Sequence, residues 1–250
     1  LHSSAASDVY KRQEINKKIK PGSGIGSSAS SAVGSVFGIN KLLGEPMKLD
    51  DLIQFAMKGE FISSKSAPAD NVAAALHGGL ILVNNHEDFK VSKLPAPENL
   101  YALVHHPLIE IKTSDSRHVL PEKIDLDVVP NQLASIGGFI HSLHTVDFNL
   151  MKKSLNDFLV EKHRSNYIPC FKDIKTATLE SGALCCSISG SGPSIFTLVN
   201  GYTKSVKIKS IIDKIYDKNQ IEFNSYITSL NARGVPVSYT HLTLPTNVAV

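Results

Sequence analysis

Gly22-Ser23-Gly24-Ile25-Gly26-Ser27-Ser28-Ala29 is the stretch that decides how the chain is read, because a helical pattern follows it directly. Ala29, Val33, Val36, Phe37, Asn40 and Leu43 recur at three- and four-residue steps, and Gly44 with Pro46 stops the run. Glycines allow a backbone to approach a ligand closely, and the first N–H groups of a helix lack intrahelical acceptors. Those donors, the helix dipole and the hydroxyls of Ser27 and Ser28 make a candidate anion site. It is not a Walker A loop, since no Lys follows the last glycine, and its spacing is not that of a dinucleotide fingerprint. Taken alone, the stretch is open between a phosphate cradle and a flexible linker.

A second cluster, Ser189-Gly190-Ser191-Gly192-Pro193-Ser194, lies between two apolar runs. By itself it reads as a hairpin turn. Around these clusters the spacing predicts helices from Asp50 to Lys58 and from Pro68 to Leu76, then a strand over Leu80–Val83. The segment His86–Asn99 reads as a linker or domain boundary. Strands are expected over Tyr101–Val104, Leu108–Ile111, Ala183–Ser187, Ser194–Val199 and Ile221–Ile227. Helices are expected with Leu133, Ile136, Ile140 and Leu143 inward, with Leu155 and Leu159 inward, over Phe171–Ser181, and over Val206–Tyr216. Helices and strands mix without a steady βαβ repeat, so the fold class is α+β.

Composition narrows the partners. The chain has 250 residues, 42% hydrophobic and 20% charged, enough to bury a substantial core. With 26 Lys and Arg against 23 Asp and Glu, the net charge of +3 gives no reason to expect nucleic acid. No apolar run approaches a bilayer span and no signal-peptide pattern opens the chain, so no membrane partner and a cytoplasmic location are expected. Cys170, Cys185 and Cys186 show no metal-ligand spacing, and the adjacent pair reads as buried thiols. His105-His106 and His141/His144 lack a companion ligand set and read as structural or solvent-facing. Residues 1–13 and 237–250 resemble translated linker rather than native protein and are set aside.

Together, Gly24-Ile25-Gly26-Ser27-Ser28-Ala29 and Gly190-Ser191-Gly192-Pro193 resemble the GHMP kinase superfamily. In that family a Gly-Leu-Gly-Ser-Ser-Ala motif cradles ATP phosphates and a late Gly-Ser-Gly-Pro loop supports it. The resemblance implies ATP binding by Gly22, Ser23, Gly24, Ile25, Gly26, Ser27, Ser28, Ala29, Gly190, Ser191 and Gly192. The family's proline ahead of the glycines stands one place late here, as Lys20-Pro21. Asp70-Asn71-Val72-Ala73, with Glu60 eleven residues before Asn71, is most similar to the homoserine kinases.

That resemblance implies Mg²⁺ held by Glu60 and Ser28, and Asn71 on the homoserine side chain. An amide cannot act as general base, so phosphoryl transfer by positioning and charge stabilisation is implied. Arg117, in Thr113-Ser114-Asp115-Ser116-Arg117, and Arg164, five residues before Pro169, match the family's carboxylate binders. Pro68 stands where the family usually has His. The implied domains are a partial ribosomal protein S5 domain 2-like, ATP-binding unit over 14–95 and a ferredoxin-like unit over 96–236. Implied partners are ATP and L-homoserine, in a step toward threonine, with a homodimer as the assembly to test. The family's first motif has no counterpart before Glu14, so the chain as written is expected to be an inactive fragment. The alternatives are another small-molecule GHMP kinase of mevalonate type, or a non-catalytic remnant.

Overall fold

The computed structural model describes residues 16–64, 69–84, 90–109, 119–230 and 233–235. Three helices come first: α1 (Ser27–Leu42), α2 (Leu52–Ser64) and α3 (Ala69–His77). They share a core of Ala29, Val33, Leu52, Ile53, Ala56, Ala69, Val72, Ala73 and Leu76. Its many alanines bring the axes close together, and one contact places the turn that carries Glu60. A Cβ added at Gly59 would lie 3.3 Å from that of Ala32, so α2 runs hard against α1 at this turn. The helix runs past Lys58 to Ser64, six residues beyond the expected end, so Glu60 sits within it rather than at its terminus.

The hairpin of β1 (Leu80–Val83) and β2 (Val91–Leu94) pairs Leu80 with Leu94 and Val83 with Val91. Its two faces serve different cores. Ile81, Val83 and Val91 pack on the three helices, whereas Leu80 and Leu94 pack on the second half of the chain. Strand β2 therefore lies inside the stretch read as a linker, where charge and proline hid a short alternating strand.

The second half is β3 (Leu100–Pro107), α4 (Val129–Thr145), α5 (Phe148–Ser154), a single helical turn α6 (Glu161–Arg164), α7 (Phe171–Glu180), β4 (Cys185–Ile188), β5 (Ile195–Asn200), α8 (Tyr202–Lys218) and β6 (Phe223–Ser229). The strands form an antiparallel sheet in the order β4-β5-β3-β6. With α7 and α8 as crossovers this is a ferredoxin-like βαββαβ arrangement, in keeping with the expected α+β class. Helices α7 and α8 cover one face through Ile174, Ile208, Ile212 and Tyr216, while α4 and α5 cover the other through Leu143 and Met151. Cys185 and Cys186 are buried, and burial raises both thiol pKa values, to about 12 for Cys185.

Three further expectations differ from what forms. Leu155 and Leu159 do not lie on a helix, because the Asp157 carboxylate accepts from the N–H groups of Leu159, Val160 and Glu161 at 2.8, 2.8 and 3.0 Å. That side chain takes the donors a continuing helix would need. Leu133 and Ile136 lie on α4 as expected but are 63% and 47% exposed. Leu108 and Ile109 lie outside any strand, since β3 ends at Pro107, and residues 110–111 lie outside the described residues. Among the described residues, no helix is long and apolar enough to cross a membrane.

Candidate active site

Gly22, Gly24 and Gly26 have φ of +74°, +76° and +73°, whereas Ser23 and Ile25 between them do not have positive φ. Alternating hands turn successive backbone N–H groups toward one side, the geometry of an anion-binding nest. The last of the three, Gly26, is the N-cap of α1; it makes no side-chain cap, and the first turn carries no acidic residue. No residue of α1 itself supplies a carboxylate to the positive end of its dipole. Ser27 Oγ donates to the Ile19 carbonyl at 2.7 Å, tying the segment that enters the loop to the helix start.

The second glycine cluster lies directly against the first. A Cβ on Gly24 would fall 2.5 Å from the Gly192 carbonyl oxygen and 2.6 Å from that of Ser189, and one on Gly190 would fall 2.9 Å from the Gly24 oxygen. Backbone meets backbone, so the packing requires glycine on both sides. Two serines lock the contact: Ser189 Oγ donates to the Gly24 carbonyl at 2.9 Å and Ser194 Oγ to the Ser23 carbonyl at 2.5 Å. Within a planar trans peptide the N–H points opposite the C=O. Pinning the Ser23 and Gly24 carbonyls to the second loop therefore aims the N–H groups of Gly24 and Ile25 away from it.

Ser28, two residues past the N-cap, donates through Oγ to Glu60 Oε1 at 2.8 Å. Glu60 is only 7% exposed, so its carboxylate is held inside the fold rather than solvated at a helix end. A hydroxyl and one carboxylate are the donor set a hard cation needs when phosphates and water supply the remaining ligands, so the pair fits Mg²⁺. Among the described residues no cluster of three or more His, Cys, Asp or Glu gathers around a metal position. Asn71, exposed at the start of α3, would touch a Cβ on Gly26 at 3.8 Å, so it borders the same loop.

Arg164 reaches the site from the other half. Asp157 caps α6, and the Glu161 carboxylate accepts from Ser187 Oγ at 2.8 Å and pairs with Lys175, fixing the turn to β4. From there Arg164 Nη1 donates to the Gly190 carbonyl at 2.9 Å. Glu60, Ser28, Asn71, Arg164 and both glycine loops thus converge, although they span residues 22 to 192. Arg117 and Pro68 lie outside the described residues. Sequence reasoning did not single out Ser189 and Ser194 as the loop's clamps; their position flanking Gly190–Pro193 was the available signal.

The chain matches the family of GHMP kinases N terminal domains over residues 4–79 and that of GHMP kinases C terminal domains over residues 139–218. The first match overlaps residues 4–13, part of the segment that resembles translated linker. A homoserine kinase of Chlorobium phaeobacteroides is 35% identical over 226 residues, which is 90% of this chain and 71% of that protein. One from a second strain of that species is 40% identical over 183 residues, 73% of this chain and 57% of that protein. The crystal structure of homoserine kinase from Cytophaga hutchinsonii superposes with a TM-score of 0.85 at 45% identity, covering 87% of this chain and 69% of that one. The chain thus spans between 57% and 71% of the length of these relatives. On this likeness across both halves, the chain belongs to the homoserine kinase family of the GHMP kinases.

Proposed function

We propose that the chain carries the nucleotide- and acceptor-binding machinery of a homoserine kinase. The reaction transfers the γ-phosphoryl group of ATP to the hydroxyl of L-homoserine, giving ADP and O-phospho-L-homoserine. The observation that carries this reading is the backbone contact between the two glycine loops, which turns the Gly24 and Ile25 amides outward at the start of α1. Those amides and the uncapped helix N-terminus bind the phosphates.

Glu60 and Ser28 would hold Mg²⁺, which, when bound, neutralises phosphate charge and favours the leaving of ADP. Asn71 borders the loop where the acceptor hydroxyl must approach, and its amide orients that hydroxyl without taking its proton. In the transfer, the homoserine oxygen forms a bond to phosphorus as the bond to the ADP oxygen breaks, and the hydroxyl proton leaves to the phosphoryl oxygens or solvent. A loose transition state needs alignment more than a strong base, in keeping with an amide at this position. Arg117 and Arg164 provide guanidinium groups for the homoserine carboxylate. Residues 14–95 form the ATP-binding unit and residues 96–236 the C-terminal unit, and the product feeds threonine formation in the cytoplasm.

The test pairs calorimetric binding of ATP and L-homoserine with ADP release by the chain extended to the full length of its relatives, using mevalonate as the competing acceptor. Binding and ADP release that depend on homoserine are expected. Preference for mevalonate, or no affinity for ATP, overturns the proposal.

A further inference from the structure

We infer that His106 is a positioning residue for the phosphate-binding loop, acting through Ser194 on the Ser23–Gly24 peptide; this rests on the kinase reading above. The β3–β5 ladder ends with His105 opposite Ile195, so His106 and Ser194 are the next residues in register. His106 is 4% exposed and Ser194 fully buried, and His106 Nδ1 lies 3.1 Å from Ser194 Oγ. Ser194 Oγ lies in turn 2.5 Å from the Ser23 carbonyl, which also accepts the Ser194 N–H at 3.2 Å.

The proton inventory fixes the direction of this relay. A carbonyl oxygen only accepts, so the single Ser194 hydroxyl proton goes to Ser23. The Ser194 oxygen must then accept from His106, which therefore carries its proton on Nδ1. Burial, reinforced by the Lys20 charge, lowers the His106 pKa, favouring the neutral ring with Nδ1–H and a bare Nε2. The chain of donors runs from β3 to the glycine loop, and each bond polarises the next. Its end point is the carbonyl whose peptide partner is the Gly24 N–H, so the imidazole sets where that amide points. Neither His106 nor Ser194 touches the ligand position itself; both act on the amide.

The test uses the full chain and a non-hydrolysable ATP analogue with Mg²⁺. H106L, which removes the donor, and S194A, which removes the hydroxyl, are each expected to weaken analogue binding about tenfold, the scale of one buried hydrogen bond. The double variant should lose no more than either single one. H106N, whose amide nitrogen replaces Nδ1 as donor, should bind within about threefold of the parent, whereas a purely packing role would not distinguish Asn from Leu in this direction. Thermal melts run alongside, and a drop in melting temperature with unchanged affinity in S194A and H106L overturns the inference. If H106L does not fold, S194A against H106N supplies the same comparison. ¹⁵N NMR of the His106 ring reads the tautomer independently of any ligand: Nδ1–H is expected, and Nε2–H overturns the relay. Failure of the parent chain to bind the analogue counts against the kinase reading, and the tautomer then decides the relay alone.

Discussion

A methyl group added at Gly24 has nowhere to go. In the folded chain it would meet the Gly192 oxygen at 2.5 Å, the Ser189 oxygen at 2.6 Å and the Gly192 carbonyl carbon at 2.8 Å. Ordinary contact begins near 3.4 Å, so the two loops must part by about 0.9 Å, and neither side has a flexible side chain to yield. The φ of +76° adds a conformational cost of about 1–2 kcal/mol for any residue with a Cβ. Overpacking against rigid backbone adds about 1–3 kcal/mol, so G24A should destabilise by roughly 2–5 kcal/mol. Parting the loops also strains the Ser189 Oγ bond to Gly24, so nucleotide affinity should fall at least about tenfold. G26A is the internal control: its φ is +73°, but the nearest heavy atom is Asn71 Oδ1 at 3.8 Å. It should show only the conformational part, about 1–2 kcal/mol. Urea denaturation gives both stabilities, and calorimetry with an ATP analogue gives the affinities. Equal destabilisation by G24A and G26A would refute the backbone contact between the loops.

E60Q keeps the shape of the side chain but removes the charge beside Ser28, so Mg²⁺ titration of the nucleotide complex should shift about tenfold higher, with nucleotide affinity in the absence of Mg²⁺ unchanged. An unshifted titration removes Glu60 from the metal position. R117A should weaken L-homoserine binding by about 1.5–3 kcal/mol, the scale of a charge-assisted contact, and unchanged calorimetric affinity removes Arg117 from the acceptor site. Acid stability follows from His105, which is fully buried, bonded through Nε2 to Asp213 Oδ1 at 3.2 Å and bordered by Lys209, Tyr216 and Phe223. Burial depresses its pKa from 6.5 to about 4, so below pH 6.5 the unfolded chain takes up a proton that the folded one does not. Stability is therefore full above pH 6.5 and falls until about pH 4, and H105F should reduce the loss between pH 7 and 4.5 by roughly 2–3 kcal/mol in urea melts. Identical acid profiles for parent and variant contradict this.

Much of this architecture was legible in the sequence, and the failures have physical causes. Glycines ahead of an apolar three-four pattern specify a loop entering a helix, and α1 starts at Ser27 as that pattern requires. The apolar runs gave the four sheet strands to within two or three residues, but the strand expected over Leu108–Ile111 leaves Leu108 and Ile109 outside any strand, since β3 ends at Pro107. What local pattern cannot carry is contact between distant segments. Nothing near Gly24 announces that Gly192 will lie against it, and nothing near Glu60 announces Ser28; both depend on how α1, α2 and the sheet assemble. Leu155 and Leu159 had helical spacing, but Asp157 offered the backbone a competing acceptor. Leu133 and Ile136 lie on the expected helix with the period intact, yet the apolar stripe extends beyond the face that the sheet covers. His106 looked ordinary because a buried histidine next to another gives no sign of which neighbour its ring nitrogen will meet.

The second glycine loop, packed backbone to backbone on the first, holds the first as a phosphate cradle. An amide ¹H–¹⁵N titration with a non-hydrolysable ATP analogue and Mg²⁺ tests it most directly. The signals of Gly24, Ile25, Gly26, Ser27 and Ser28 should move together with those of Gly190, Ser191 and Gly192, along a single saturation curve, while α8 (Tyr202–Lys218) stays fixed. Saturable shifts confined to one loop, or centred elsewhere in the fold, would contradict it.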